Sequence, residues 1–337
     1  MAGRRTNLAL LVLLAAALLS GFLAYGIGTP GVRWVVLVHG VLGVGIVLLA
    51  PWKSVIARRG LRRRRRTPAA WASVALTVLV AASLVSGLLH ATGIAVSWGP
   101  VTAMQVHVGS ALAAVPFAVW HVVARRVRPR RTDLTRRNLL RAAGVLGGAG
   151  LAYGAVEGAV RLASLPGADR RFTGSHARGS FDPSSMPVTQ WLNDPVPSID
   201  PATWSLVVVS DGAERALAYD DLLRFHDRIR ATLDCTGGWY AVQDWEGVWL
   251  SRLLPDAGEH RSVLVGSATG YHRRFPLRDL PRLLLATRVG GRPLSPGHGA
   301  PARIVAPGRR GFWWVKWVER VEVGDTPWWW QPPFPLS

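Results

Sequence analysis

The chain has 337 residues, 49% of them apolar, with 40 Lys+Arg against 20 Asp+Glu and a formal net charge of +20. A pI near 11.6 ordinarily points to nucleic acid, but the placement of the charge excludes that class. Arg4 and Arg5, eight basic residues from Lys53 to Arg66 and eight from Arg125 to Arg141 hold nearly all the excess, while from Ala142 onward 21 basic residues face 19 acidic ones.

Those basic runs separate hydrophobic segments, the pattern that membrane topology requires. Leu8–Ile27 is about 20 apolar residues, enough to cross a bilayer at ~1.5 Å per residue. Arg4-Arg5 precede it, yet no small-residue cleavage site follows, so it reads as a retained helix. Further spans are expected at Trp34–Leu49, Ala69–His90, Val106–Ala124 and Leu139–Val160. The Arg-dense loops 51–68 and 125–138 belong inside, and loops 28–33 and 91–105, with Arg33 as their one charge, belong outside. The chain is therefore expected to be a multi-pass cell-membrane protein with a cytoplasmic N-terminus and everything after about Arg161 extracytoplasmic.

Polar residues inside spans are costly and tend to be functional. Four histidines, His39, His90, His107 and His121, fall within or at the ends of these spans. Paired imidazoles hold a b-type haem between helices. His107 and His121 are 14 residues apart, about four turns, a spacing that resembles membrane cytochromes b. On the topology above, His39, His90 and His107 lie toward the outer surface. One outer haem held by His39 and His107 is expected, with His90 in reserve, and His121 lacks an obvious partner. The competing reading is that these histidines bind no metal.

Thr135-Arg-Arg-Asn-Leu-Leu-Arg141, before the Ala/Gly-rich fifth segment, resembles a twin-arginine export signal lying inside the chain. Beyond Arg161 the hydrophobic runs shorten to strand length. Trp204–Ser210 reads as a strand with Asp211-Gly-Ala as its turn, and Tyr219–Phe225 as a short helix. Ile229–Leu233, Ser262–Gly266, Arg303–Ala306 and Val315–Val323 read as further strands. The expected organisation is a four-helix transmembrane domain over 1–130, the twin-arginine-like segment and fifth helix over 131–160, a linker over 161–172 and a second domain over 173–337.

Cys235, the sole cysteine, sits at the end of the 229–233 strand, with Gly237-Gly238 as a tight turn after it. Alone, it is as readily a small buried hydrophobe as a reactive thiol. Three later stretches weigh against the first reading: Trp245-Glu-Gly-Val-Trp-Leu-Ser-Arg-Leu-Leu254, Gly291-Arg-Pro-Leu-Ser-Pro-Gly-His-Gly-Ala-Pro-Ala-Arg303 and Gly311-Phe-Trp-Trp-Val-Lys-Trp317. Together with the cysteine they resemble the molybdopterin-binding domain of the sulfite oxidase and methionine-sulfoxide reductase superfamily, over roughly Thr173 to Asp325.

The resemblance implies a mixed α/β domain that holds a molybdenum–molybdopterin cofactor, with Cys235 binding the metal as the catalytic centre. It implies cofactor contacts from Thr269, His298, Arg303, Lys316 and the main chain at Trp314 and Val315. A phosphate tail wants cationic donors, which His298, Arg303 and Lys316 offer. One departure bears on substrate. Sulfite oxidases follow the cysteine with an Asn-Arg-Arg run, whereas Gly237-Gly238-Trp239 stands here, which disfavours sulfite unless Arg273 or Arg274 supplies the cation. The tail Trp328-Trp-Trp-Gln-Pro-Pro-Phe-Pro335 reads either as an interfacial belt or as a cover over the core.

The sequence thus predicts an all-α transmembrane bundle followed by a mixed α/β molybdopterin domain. Its expected function is two-electron oxygen-atom transfer to or from a small oxyanion, sulfoxide or N-oxide, with electrons passing through a membrane haem to quinone or a redox partner protein. Two rivals remain: a non-catalytic membrane haem protein with a degenerate outer domain, and a molybdoenzyme with a plain haem-free anchor.

Overall fold

The computed structural model describes residues 2–63, 68–124, 127, 130–190, 194–255, 257–258 and 260–335. Arg64–Arg66 and, in the second basic loop, Arg125, Arg126 and Arg128 lie outside the described residues. The chain divides into two compact units, one of Met1–Tyr25 and Pro30–His176, the other of Gly26–Thr29 and Ala177–Ser337.

Unit 1 is helical: α1 (Ala2–Gly26), α2 (Val32–Arg63), α3 (Pro68–Thr92), α4 (Ala103–Ala124) and α5 (Arg136–Leu162). Among the described residues these five helices are long and apolar enough to cross a membrane. Helix α3 packs along α4, and α2 along α5. Glycines allow close approach at two points. A Cβ at Gly40 would meet the Tyr153 ring at 2.3 Å, and one at Gly87 the His107 ring at 2.8 Å. The expected end of the second span at Leu49 is corrected, because α2 runs through Pro51 to Arg63 and much of the 51–68 loop is helical. The proline removes one donor only. The helix continues past it, with Ser54 Oγ donating to Pro51 O (2.8 Å) and Lys53 Nζ to Asn7 Oδ1 of α1 (2.9 Å).

Unit 2 is built on strands β1 (Ser205–Ser210), β2 (Ala213–Ala218), β3 (Asp227–Asp234), β4 (Trp239–Trp249), β5 (Ser262–Ser267), β6 (His272–Pro276), β7 (Leu284–Val289), β8 (Arg303–Val305) and β9 (Val318–Gly324). One sheet runs β2-β1-β9-β5-β6, with β1 and β9 parallel and the other pairs antiparallel. In the other, β4 pairs antiparallel with β3 and β7, and β7 with β8. A short helix, Tyr219–Leu223, follows β2 with Asp221 accepting from the Ala218 amide.

Period-two burial explains why β4 is a strand. Trp239, Ala241, Gln243 and Trp245 are buried while Tyr240, Val242 and Asp244 are not, as the alternation of side chains in a pleat requires. The alternation stops at Glu246, which is buried as well, where the pairing with β7 shifts register; at Gly247 backbone meets backbone, and a Cβ there would lie 2.0 Å from Leu285 O. Both sheets feed one core that includes Leu206, Leu233, Trp245, Phe275, Leu285 and Ile304. The strand expected at Val315–Val323 starts only at Val318, because Trp317 adopts φ 50° and breaks the extended run.

Candidate functional site

Cys235 lies in the turn that joins β3 to β4. Its amide donates to Trp239 O (2.9 Å) and the Gly238 amide donates back to Cys235 O (3.2 Å), with Gly238 at φ 91°. The expected tight turn is present, and it puts the thiol at the end of a hydrogen-bonded strand. From the other side, Arg310 forms a buried ion pair with Asp234 and donates from Nη2 to Cys235 O (3.2 Å). Gly311 lies so close that a Cβ on it would stand 3.1 Å from the Cys235 Cα. The Sγ accepts from the Gly237 amide at 3.3 Å. Burial pushes the thiol's pKa up, opposed by the Gly237 hydrogen bond and by the nearby Arg310 and Lys316 charges.

The thiol faces a cavity lined by Thr189, Trp239, Tyr271, His298, Arg303, Trp314 and Lys316, among others. Arg303 is 1% exposed. It donates to His298 O (3.0 Å) and Trp314 O (3.3 Å), lies over the Trp245 and Trp314 rings, and leaves Nε without a partner. Lys316 Nζ donates to Thr189 O (2.9 Å) and Gly297 O (2.7 Å). Among the described residues neither cation forms an ion pair with a carboxylate. Burial accordingly lowers Arg303 to about 9 and Lys316 to about 7. His298 is held by the cavity wall: Nε2 donates to Met186 O (3.0 Å) and Nδ1 accepts from Ser295 Oγ (2.8 Å). Burial and the adjacent Arg303 depress its pKa, so the ring is neutral.

The structure thus brings Cys235, His298, Arg303, Trp314 and Lys316 to one cavity. Val315 is buried behind it, accepting from the Ile304 amide (2.8 Å). Thr269 stands one step back and donates to Asp194 Oδ2 (2.8 Å), which does line the cavity. Arg273 is turned toward Pro332 O and stacks on Trp313, while Arg274 bonds Ser262 and Gln331, and neither lines the cavity. Sequence reading missed Thr189, Asp194, Tyr271 and Arg310. Asp194 and Thr189 come from an irregular stretch with no period to read, and Arg310 is one arginine among many.

Residues 193–330 match the family described as oxidoreductase molybdopterin binding domain. This part of the chain is a molybdopterin-binding oxidoreductase domain. It is related to the mitochondrial sulfite oxidase of Homo sapiens, 32% identical over 166 residues that cover 38% of this chain and 30% of that protein. It is similarly related to the protein-methionine-sulfoxide reductase catalytic subunit of Xanthomonas campestris, 32% identical over 37% of this chain and 47% of that protein. The chain therefore spans about a third to a half of the length of these relatives. The sulfane dehydrogenase SoxCD from Paracoccus pantotrophus is 27% identical over 39% of this chain and 40% of its own, with a TM-score of 0.37.

The residues present fit a molybdopterin. A buried guanidinium and a buried ammonium without carboxylate partners are costly, and an anion in the cavity relieves both. The unpartnered Arg303 Nε adds an idle donor of the kind a phosphate oxygen accepts. Cys235 supplies a soft ligand on the same wall.

The histidines of unit 1 fall in three places. The His39 and His107 rings lie edge-to-face with centroids 5.7 Å apart. His39 Nδ1 lies 3.0 Å from Ala17 O, and His107 Nδ1 lies 2.8 Å from Ser83 O. Each Nδ1 therefore carries the proton and donates, which leaves both Nε2 atoms as lone-pair donors. His90 is elsewhere: its Nε2 donates to Gly174 O (2.9 Å) and its ring stands edge-on to His176 at 4.8 Å. His121 Nδ1 meets Ser73 Oγ at 2.9 Å.

Proposed function

We propose that this chain is a membrane-anchored molybdenum oxidoreductase that performs two-electron oxygen-atom transfer in the cavity of unit 2. Cys235 binds the metal, and a haem held between His39 and His107 passes electrons to or from quinone or another carrier. The observation that carries the reading is the convergence of the sole cysteine with two buried cations that form no ion pair, in one cavity. When bound, the cofactor supplies the oxygen-accepting and oxygen-donating metal chemistry. The protein's part is to hold and screen. Arg310 and Gly311 fix the main chain of Cys235, Lys316 and Arg303 would neutralise the cofactor's phosphate, and Trp239, Trp314 and Tyr271 would restrict water around the thiol.

The uncharged turn Gly237-Gly238-Trp239, together with Arg273 and Arg274 facing elsewhere, supports a substrate other than sulfite, of the sulfoxide or N-oxide kind. The His39–His107 pair supports the haem because both Nδ1–H groups are tied to carbonyls, which would leave each Nε2 free to hold an iron. Exposed Trp34 and Trp98 on the expected outer side, and Trp52 and Trp71 on the inner, support insertion with aromatic belts at both surfaces. The twin-arginine pair, Arg136 and Arg137, opens α5, whose mean hydropathy of 1.4 is the lowest of the five helices against 2.4 for α1. That suits export of a domain already folded around its cofactor. The expected domain limits, including a linker over 161–172, are carried into this reading.

The deciding experiment is purification of wild type and Cys235→Ser from a molybdenum-replete host. About one molybdenum per chain and dye-linked oxidoreductase activity are expected for wild type, with activity abolished in the variant. Full activity in Cys235→Ser would sink the assignment.

A further inference from the structure

We propose that Thr189 is a positioning residue of the metal site: its hydroxyl, aimed by the Trp239 indole, donates a hydrogen bond to the Cys235 sulfur and sets how much charge that sulfur carries as a ligand. The inference rests on the reading that Cys235 binds molybdenum, and adds a residue that acts through the sulfur.

The first observation is a chain of two donors. Trp239 Nε1 donates to Thr189 Oγ1 (3.2 Å). An indole nitrogen offers a proton and no lone pair, so at this contact the hydroxyl can only accept, and its own proton is left for another acceptor. The thiol is that acceptor. The Thr189 side chain hydrogen-bonds Cys235, and it works against the burial that pushes the thiol's pKa up, which is the direction of a donor to charged sulfur. Gly237 shows how close the two ends of the chain lie. A Cβ on it would stand 3.5 Å from Cys235 Sγ and 3.7 Å from Trp239 Nε1, so one point touches both. With the Gly237 amide at 3.3 Å, the sulfur has one donor from the main chain and one from a side chain. Hydrogen bonds to a ligating sulfur draw charge away from the metal and favour its reduced state.

The second observation is independent and concerns rigidity. Thr189 lies in a stretch without regular structure, yet three contacts fix that stretch. Met186 O accepts from His298 Nε2 (3.0 Å), and Thr189 O accepts from Lys316 Nζ (2.9 Å). Between them Val188 packs on Gly297 so closely that a Cβ there would stand 2.8 Å from Val188 Cγ1. A hydroxyl on a loose loop has no lasting direction, whereas one pinned through its own main chain and its neighbours does. Trp239, 7% exposed, is equally fixed at the start of β4. Where sulfite oxidases carry an Asn-Arg-Arg run, this chain thus uses an indole whose single donor is directed at the neighbour of the sulfur.

The test uses the full-length, cofactor-loaded protein in detergent. Thr189→Val removes the donor at nearly constant volume, Thr189→Ser keeps it, and Trp239→Phe removes the indole that aims it. Molybdenum per chain is measured first. The one-electron potential between the hexavalent and pentavalent metal is then read by redox-poised electron paramagnetic resonance, with the g-values of the pentavalent signal. Thr189→Val is expected to shift that equilibrium roughly three- to tenfold toward the oxidised metal, a fall of about 30–60 mV at ~59 mV per tenfold. Thr189→Ser should stay near wild type, and Trp239→Phe should fall between the two. A molybdenum-loaded Thr189→Val with wild-type potential and g-values overturns the proposal and leaves the Cys235 reading standing. Equal shifts in the Val and Ser variants assign the effect to packing and overturn it as well. If Thr189→Val takes up no metal, Trp239→Phe decides, and a wild-type potential there overturns the proposal. A wild-type protein without molybdenum, or a metal signal unchanged by Cys235→Ser, defeats the Cys235 reading and the proposal with it.

Discussion

Lys316 makes the electrostatic account of the cavity measurable. Its ammonium is buried against two carbonyls without an ion pair, and desolvation lowers its pKa from 10.5 to about 7. Between those values the unfolded chain binds a proton that the folded, cofactor-free chain does not. Stability should therefore rise with pH from about 7 upward, by about 1.4 kcal/mol per pH unit. From pH 7 to 9 the gain is about 2–3 kcal/mol, or about 5–10 °C in melting temperature for a unit of this size. Few other groups interfere in that window. Burial lowers His298, which acts below 6.5, and Arg303 acts from about 9 up. The buried Cys235 thiol, raised above 9, opposes the trend only above pH 9. His260, raised by Asp325 and Asp211, contributes with the opposite sign, but equally in any Lys316 variant. The assay is thermal unfolding, followed by tryptophan fluorescence, of cofactor-free full-length protein in detergent. Wild type and Lys316→Met are compared at pH 7, 8 and 9. The two curves should converge or cross as pH rises, because only wild type gains. In cofactor-loaded protein the phosphate keeps the lysine charged, and the wild-type gain should shrink. Parallel melting curves for the two cofactor-free proteins would refute the claim that Lys316 is an uncompensated buried cation.

Three more outcomes follow from particular contacts. Asp234→Asn leaves Arg310 buried without its carboxylate and should cost about 3–5 kcal/mol in chemical unfolding of the unit, with cofactor content falling in step because Arg310 also holds the Cys235 carbonyl. His39→Ala and His107→Ala should each remove a reduced-minus-oxidised b-haem spectrum from membranes, while His90→Ala should leave it, since the His90 Nε2 is committed to Gly174 O; loss of the spectrum in His90→Ala alone would reverse the assignment. Replacing Arg136 and Arg137 together by lysine keeps the charge but not the guanidinium geometry. Protease protection in spheroplasts should then find unit 2 retained inside with α1–α4 inserted, and an active outer domain in that variant would end the export proposal.

The sequence by itself determined the parts of this protein written in local periodicity and in rare residues. Five apolar runs flanked by arginine blocks specified five long helices, because bilayer thickness sets a length that composition alone can reveal. The glycine pair after the only cysteine specified the turn that carries it, whereas the strand that follows, Trp239–Trp249, was not among those read from the sequence and comes from the structure alone. Where a local rule met a competing interaction, the reading slipped. The basic stretch 51–68 reads as a loop, yet α2 runs on through Pro51 to Arg63. Trp317 looked like mid-strand text until its left-handed backbone delayed β9 to Val318.

What the tertiary structure decided is which residues meet. The ion pair of Asp234 with Arg310 joins positions 76 apart in the chain, and Lys316 reaches the carbonyl of Thr189 across 127 residues. No spacing rule encodes such pairs, because closing so long a loop is repaid only by the assembled core. The same holds for the charge of the cavity. Arg303 and Lys316 are ordinary basic residues in the text, and only burial without an ion pair turns them into a candidate anion site. Sequence placed His39, His90, His107 and His121 on helices, but which backbone carbonyls the His39, His90 and His107 rings meet is set by helix packing alone.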